Sequence, residues 1–359
     1  MVHQGGVVTI TTKILPDGRL GLSLRDPAQI IASVPPLFGF RPADSLVLLG
    51  LGGTRGSEVC SAVRLAVPSA EHESEIVRQL PSAFTESGTR AIIVVLVGQG
   101  QVHPPGSTGP PYRRLVGLLR ETFTAVGMEV LYALWTPEIR EGAPWASYDD
   151  AAEGVLPDDA KTVTAAVFSA AGYVTFDSRE DMASQLAPED AAALLRREEL
   201  LTAAIDAFDG SVDRAVVVRD GLALVRVTLD RIRGGDLSFS DSQVVELALA
   251  LSEISVRHTC MALAFVPKMR RHAERLWLEL IRRTPAPERA EPAVLLAYSA
   301  YQHGEGTLAG LALENALDAN PGHLAAGLLS RCLARGRPPR RLRDLAYTEH
   351  LDALCAPVL

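Results

Sequence analysis

Ser45 to Leu51 reads SLVLLGL and Ala91 to Val97 reads AIIVVLV, with no charged side chain in either run. Val130 to Trp135 reads VLYALW and forms a third apolar run. Short continuous apolar strands suit a sheet covered on both faces, because neither side meets water. The intervening residues carry a helical period. Ile76, Leu80 and Phe84 recur at four-residue spacing, although Pro81 should kink that helix. Leu115, Val116, Leu119, Phe123 and Val126 line one face of the next helix, which Gly127 ends. Strand, helix, strand, helix, strand predicts an α/β layer with parallel crossovers. Val59–Val67 follows the first run through a Gly-rich turn and is expected to pair with it antiparallel.

On the N-terminal side, Val7–Leu15 and Leu20–Leu24 flank Pro16-Asp17-Gly18, a hairpin signal. Asp26-Pro27-Ala28-Gln29 opens a helix, with Asp26 as cap, and Pro35-Pro36 should stop it. On the C-terminal side, Gly100 to Pro111 reads as an exposed loop, Thr162–Ala171 as a helix and Gly172–Phe176 as a further strand. After Ser178, whose spacing to Asp181 is a capping signature, the pattern is almost wholly helical. Helices are expected over Pro188–Phe208, Leu222–Arg233, Asp241–Val256 and Pro267–Thr284. Ala215–Val218 can be read instead as a hairpin strand. Pro292–Arg335 reads as two or three short helices that fit a tetratricopeptide template. With Pro321 at the repeat's proline, Ala297, Ala309 and Ala316 fall on its small positions. A lone repeat cannot bury its own face, so it should dock on the helices before it. The expected organisation is an α/β domain over 1–177, a helical domain over 178–290 and a tetratricopeptide-like end over 291–359.

The formal charge of −8 is unevenly spread. Residues 1–150 hold 12 basic and 14 acidic side chains, residues 151–256 hold 9 and 19, and residues 257–359 hold 14 and 10. Only Lys13, Lys161 and Lys268 are lysines, and none follows a glycine, which excludes a phosphate-binding P-loop. The arginine and alanine excess reflects the codon bias of a GC-rich genome. Cys60, Cys260, Cys332 and Cys355 are far apart, so neither a Cys-x-x-Cys zinc site nor a redox pair is expected. Scattered thiols, no apolar leader and no run near the ~20 residues of a membrane span predict a cytoplasmic chain without membrane insertion.

Several stretches resemble an actinobacterial family catalogued only as a domain of unknown function, number 4192. The clearest is Leu24 to Leu51, through Pro35, Gly39-Phe40, Pro42 and Ser45-Leu46-Val47. Trp145-Ala146-Ser147-Tyr148, Ala170 to Val174, Ser178-Arg179-Glu180, the helix led by Ser240-Asp241 and the tetratricopeptide-like end add to it. The resemblance implies no reaction, cofactor or partner. Where members carry a cysteine cluster after the Trp-Ser-Tyr segment, this chain has Asp149, Asp150 and Glu153. A metal or redox role is therefore not carried over. His258 stands where members have a carboxylate.

Three constellations can carry chemistry. In Gly39 to Ser45, Arg41 can hold an anion, with Asp44 and Ser45 as hydrogen-bonding groups. Against this, the loop leads into the N-terminal end of its strand, whereas α/β sheets bind ligands at C-terminal ends; the structural alternative is a turn plugged by Phe38 and Phe40. Trp145, Ser147, Tyr148 and Asp149 lie just past the third strand and form either a ligand wall or an aromatic lid. Arg270, Arg271, Arg275, Tyr301, Arg337 and Arg340 form a basic surface for a partner, or merely the solvated side of packed helices. Gly50 to Gly56 lacks the helix a dinucleotide fingerprint needs. No metal site and no cofactor are expected.

Two functions follow. The first is a protein-interaction adaptor or scaffold using the helical C-terminal part, with an unidentified protein partner. The alternative is an enzyme or small-ligand binder with a pocket at the C-terminal rim of the sheet near Trp145–Asp150. Nucleic acid is least favoured, because the basic stretch lacks an aromatic stacking platform.

Overall fold

The computed structural model describes residues 9–11, 14–15, 18–19, 26–53, 57–100, 109–208, 211–337, 339–346 and 350–355. The chain divides into two compact units. The first comprises Met1–Met182 with His303–Thr307 and Cys332–Pro338. The second comprises Ala183–Gln302, Leu308–Arg331 and Pro339–Leu359.

The first unit is built on a sheet. Its strands are β1 (Thr9–Thr11), β4 (Ser45–Gly52), β5 (Glu58–Ala66), β6 (Ala91–Val97), β7 (Glu129–Thr136), β8 (Pro144–Ser147) and β9 (Glu153–Val155). They lie in the order β1-β5-β4-β6-β7-β8-β9. The short strands β2 (Ile14–Leu15) and β3 (Gly18–Arg19) pair separately, and the turn residues predicted at Pro16-Asp17 lie outside the described residues. The helices are α1 (Pro27–Ala32), α2 (Val34–Phe38), α3 (Glu73–Gln79), α4 (Arg113–Ala125), α5 (Val163–Ala170) and α6 (Arg179–Ser184).

The three apolar runs are strands, and every residue of β4 is buried. Leu46, Leu48, Ile92, Val94 and Leu96 form one core with Val77, Phe84, Leu115, Leu119 and Phe123 of the α3–α4 side. Their alternates Val47, Leu49, Ile93, Val95 and Val97 are equally buried, as a sheet covered on both faces requires.

The topology corrects the all-parallel expectation. Only β6 and β7 run parallel, across α4; β4 is antiparallel to both β5 and β6, with Ser45 beside Val97. The apolar pattern reports burial on both faces but not strand direction. Three local readings also change. Pro35 and Pro36 do not end a helix; α1 ends at Ser33 and the prolines occupy the first turn of α2, where missing N–H groups cost nothing. Gly172–Phe176 makes only an isolated parallel bridge, Phe40 to Phe176, not a strand. The Trp145 segment is a strand of a hairpin formed by β8 and β9.

The second unit is helical: α7 (Ala191–Asp206), α8 (Arg214–Arg233), α9 (Asp241–Ser252), α10 (Ile254–Ala262), α11 (Pro267–Arg283), α12 (Ala290–Gln302), α13 (Gly306–Ala319), α14 (Leu324–Ala334) and α15 (Leu351–Cys355). Here α13 is named with the second unit, although its first residues, 306–307, belong to the first. Ala215–Val218 begins α8 and is not a strand. The long helix expected to Val256 breaks at Glu253, which leaves helical geometry and caps α10 by accepting from the Ser255 N–H. Around Leu276, Trp277 and Leu280 the unit has a dry core, and α12 packs on α11, α10 and α9. Among the described residues no single helix is long and apolar enough to cross a membrane.

Candidate functional site at the sheet rim

The antiparallel turn of β4 has a direct consequence for the loop Gly39 to Ser45. This loop precedes β4, yet Ser45 pairs with Val97 at the end of β6. The loop therefore sits at the same rim as the C-terminal ends of β6 and β7. The objection that it lies at the wrong end of the sheet assumed parallel strands and falls away.

Two described residues other than glycine have positive φ, Asp44 at 43° and Tyr112 at 63°. Such conformations cost of order 1–3 kcal/mol and gather at functional sites. Both belong to this rim, and both side chains converge on Gly98. A Cβ placed on Gly98 would lie 2.8 Å from Asp44 Oδ1 and 3.4 Å from the Tyr112 hydroxyl. Gly98 itself has φ +141°, so a glycine is needed here for both backbone and space. Its carbonyl accepts from Trp135 Nε1 at 2.9 Å, and its N–H donates to the Thr136 carbonyl at 3.0 Å. Burial, reinforced by the nearby Asp44 charge, pushes the Tyr112 phenol up, while a bond from Gly100 opposes that shift.

Tyr112 also begins α4. No side chain caps this helix, and its first turn contains Arg113 and Arg114 without any acid. Basic residues at the positive end of a helix dipole are unfavourable unless an anion offsets them. Arg114 lies 3.5 Å from the buried Glu73 carboxylate. Among the described residues no carboxylate pairs with Arg113. Tyr148 Oη donates to the Pro111 carbonyl, tying the β8 end to the start of α4. Burial is the main cause that drives the Tyr148 phenol far above its ordinary range, with Tyr112 adding to it. Tyr148 is therefore a neutral donor at any working pH.

The other candidates are placed as follows. Arg41 is not aimed at the rim. It holds buried Asp159 bidentately, at 3.0 and 3.3 Å, and also pairs with Asp177. It is thus a clasp between the loop and the 158–177 segment, alongside the Arg41 N–H to Phe176 carbonyl bond of 3.1 Å. Ser45 is fully buried, donates to the Ala43 carbonyl at 2.6 Å and accepts from Arg64 Nε at 2.8 Å. Trp145 is buried in β8 against Gly154. Ser147 Oγ accepts from the Asp149 N–H, and Asp149 accepts from the Ala133 N–H at 3.0 Å and pairs with Arg120. These groups build the β7–β8 edge rather than a ligand wall.

Sequence reasoning missed Gly98, Gly100, Tyr112, Arg113 and Trp135. A signal was present: Gly98-Gln99-Gly100 follows a buried strand and precedes a helix. It was masked by reading 100–111 as a plain loop, of which 101–108 lie outside the described residues.

The basic surface proposed for a partner is largely neutralised within its own unit. Arg270 pairs with Glu274, Arg275 with Glu279 at 3.0 Å, and Arg283 with both Glu279 and Glu189. Tyr301 is buried, Arg271 is exposed on α11, and Arg337 and Arg340 are exposed beyond α14. His258 and Cys260 both lie on α10, and Cys260 is fully buried. Among the described residues no group of three or more His, Cys, Asp or Glu is arranged to hold a metal.

The family model described as Domain of unknown function (DUF4192) matches residues 27–340, so the chain belongs to that family. No curated protein and no solved structure matches it.

Proposed function

We propose that this member of the family binds a small anionic, hydroxyl-bearing molecule at the rim formed by Asp44, Gly98, Tyr112 and Arg113. One observation carries the reading. Two strained residues from separate segments converge on one glycine at the C-terminal ends of the parallel pair β6 and β7. Ligands of α/β sheets bind at such ends. Asp44 would accept from ligand hydroxyls. Arg113 and the uncapped N–H groups of α4 would take the anionic group. Tyr148 would supply rigidity through its bond to Pro111. No reaction is assigned to the site.

Thermal-shift measurements with inorganic phosphate, sugar phosphates and nucleoside phosphates test it. One of them should raise the Tm by several degrees at a large excess over its Kd, where the added stability is about 2.7 kcal/mol. Asp44→Asn and Arg113→Ala should each reduce that shift. If no compound shifts the wild-type chain, or both variants respond as it does, the reading fails.

A second reading is a cytoplasmic adaptor working through the helical part. Supporting it, Ala297, Ala309 and Ala316 are buried at the small positions of a tetratricopeptide-like template. The four free thiols support a reducing compartment, and the arginine–alanine bias supports an actinobacterial source. The α11 arginines do not recommend themselves as the contact surface, because their charge is met by Glu274, Glu279 and Glu189. The specific observation in its favour is the seat of the chain's own tail.

A further inference from the structure

Pro339–Leu345 forms a short 3₁₀ turn that lies on α12. Tyr298 Oη lies 3.1 Å from the Leu342 carbonyl and 3.4 Å from that of Arg343. Gln302 Nε2 donates to the Pro339 carbonyl at 3.1 Å. The Arg343 guanidinium stacks 5.3 Å from the Phe265 ring centre, and Phe265 meets Tyr298 edge to face at 6.2 Å. Leu342 is buried, whereas Arg340 and Arg341 point to solvent.

These contacts divide cleanly. Each hydrogen bond just named from Tyr298 and Gln302 ends on a backbone carbonyl, which any peptide offers. Only two contacts read side chains, the burial of Leu342 and the cation–π contact of Arg343. The occupant is weakly built. Seven residues of 3₁₀ turn and the five of α15 are too short to hold their shape alone, since helix nucleation is unfavourable and 3₁₀ geometry is poor. Phe265 remains 37% exposed beneath its own arginine, so a competitor can reach the aromatic contact first.

We propose that Phe265, Tyr298 and Gln302 form a peptide-docking seat, held in this chain by its own tail. The partner it fits is a protein presenting a leucine followed by an arginine on a short basic turn. Such a segment reproduces both side-chain contacts, and its backbone supplies the carbonyls. The tail acts as an internal competitor, so docking is weak until the tail is displaced. This inference rests on the second reading above and is independent of the rim.

The test measures fluorescence anisotropy of a labelled peptide, PRRLRDL, the sequence of Pro339 to Leu345, with the full-length chain. Leu342→Asp should release the tail and bind the peptide at least ~10-fold more tightly than the wild type. Adding Phe265→Ala should remove that gain. A peptide with alanine for its leucine and third arginine should not bind. The proposal is overturned if the Leu342→Asp chain, helical by circular dichroism, fails to bind the peptide or binds both peptides alike. Arg343→Ala, an exposed change, serves if Leu342→Asp does not fold. It should bind the peptide ~3-fold more tightly than the wild type, and equality counts against the seat. A protein captured by the folded variant and not competed off by the peptide would keep the adaptor reading and sink the seat.

Discussion

The start of α4 and the length of α11 both carry arginines, and they behave oppositely. On α11, Arg270, Arg275 and Arg283 meet Glu274, Glu279 and Glu189. On α4, Arg113 stands at the positive end of its helix with Tyr112 strained beside it, and no acid occupies the first turn. The α11 set is a dense run of positive charge in the sequence but is met by acids in the fold. The α4 pair is inconspicuous in the sequence but leaves an electrostatic cost for a ligand to relieve. Charge counted along a chain therefore says little about charge available to a partner.

The comparison can be broken most forcefully in the second unit. Arg197, buried on α7, holds Asp241 at 2.6 Å, Glu189 at 2.9 Å and the Arg283 carbonyl at 3.0 Å. Its hydrogen bond is the largest cause holding the Asp241 carboxyl below the ordinary range. Arg197→Ala should cost about 3 kcal/mol in urea-melt stability, because it strands two partly buried carboxylates and a carbonyl. A loss under ~1 kcal/mol would mean that these ion pairs are ornamental and that the arginines near them are available after all.

A smaller loss is expected at the rim. Gly98→Ala puts a Cβ 2.8 Å from Asp44 Oδ1 on a backbone with φ +141°. It should cost about 1–2 kcal/mol and abolish the ligand-induced thermal shift. Full retention of the shift would show that Asp44 and Tyr112 do not act over Gly98.

The smallest effect is the sharpest in sign. Arg113→Glu in the ligand-free chain should stabilise it by about 0.5 kcal/mol, since an acid suits the helix start. Arg275→Glu should destabilise, because it opposes Glu279. Chemical denaturation of both variants decides the matter. If both destabilise, Arg113 is structural and the rim loses its electrostatic motive.

How much was legible follows from the same residues. The apolar runs at 45–51, 91–97 and 130–135 identified buried strands because period and composition report burial locally. The caps at Asp26, Thr162, Ser178 and Ser240 were readable because a cap acts within three residues. Arg41 was noticed for the right reason, a guanidinium on a loop. Its partner Asp159 lies 118 positions away, and nothing local pairs the two. Asp44 was singled out as well, but Tyr112 was not, since a strained tyrosine looks like any other tyrosine in sequence.

By itself, then, the sequence determined an α/β first part, a helical second part and the position of nearly every element, since these depend on neighbours within a few residues. The tertiary structure alone decided that β4 runs against β6. That one direction carries the Asp44 loop to the C-terminal ends of β6 and β7. It is a property of strand pairing at a separation of 52 residues between Ser45 and Val97, and hydrophobic period is blind to it because a strand buried on both faces reads the same in either direction.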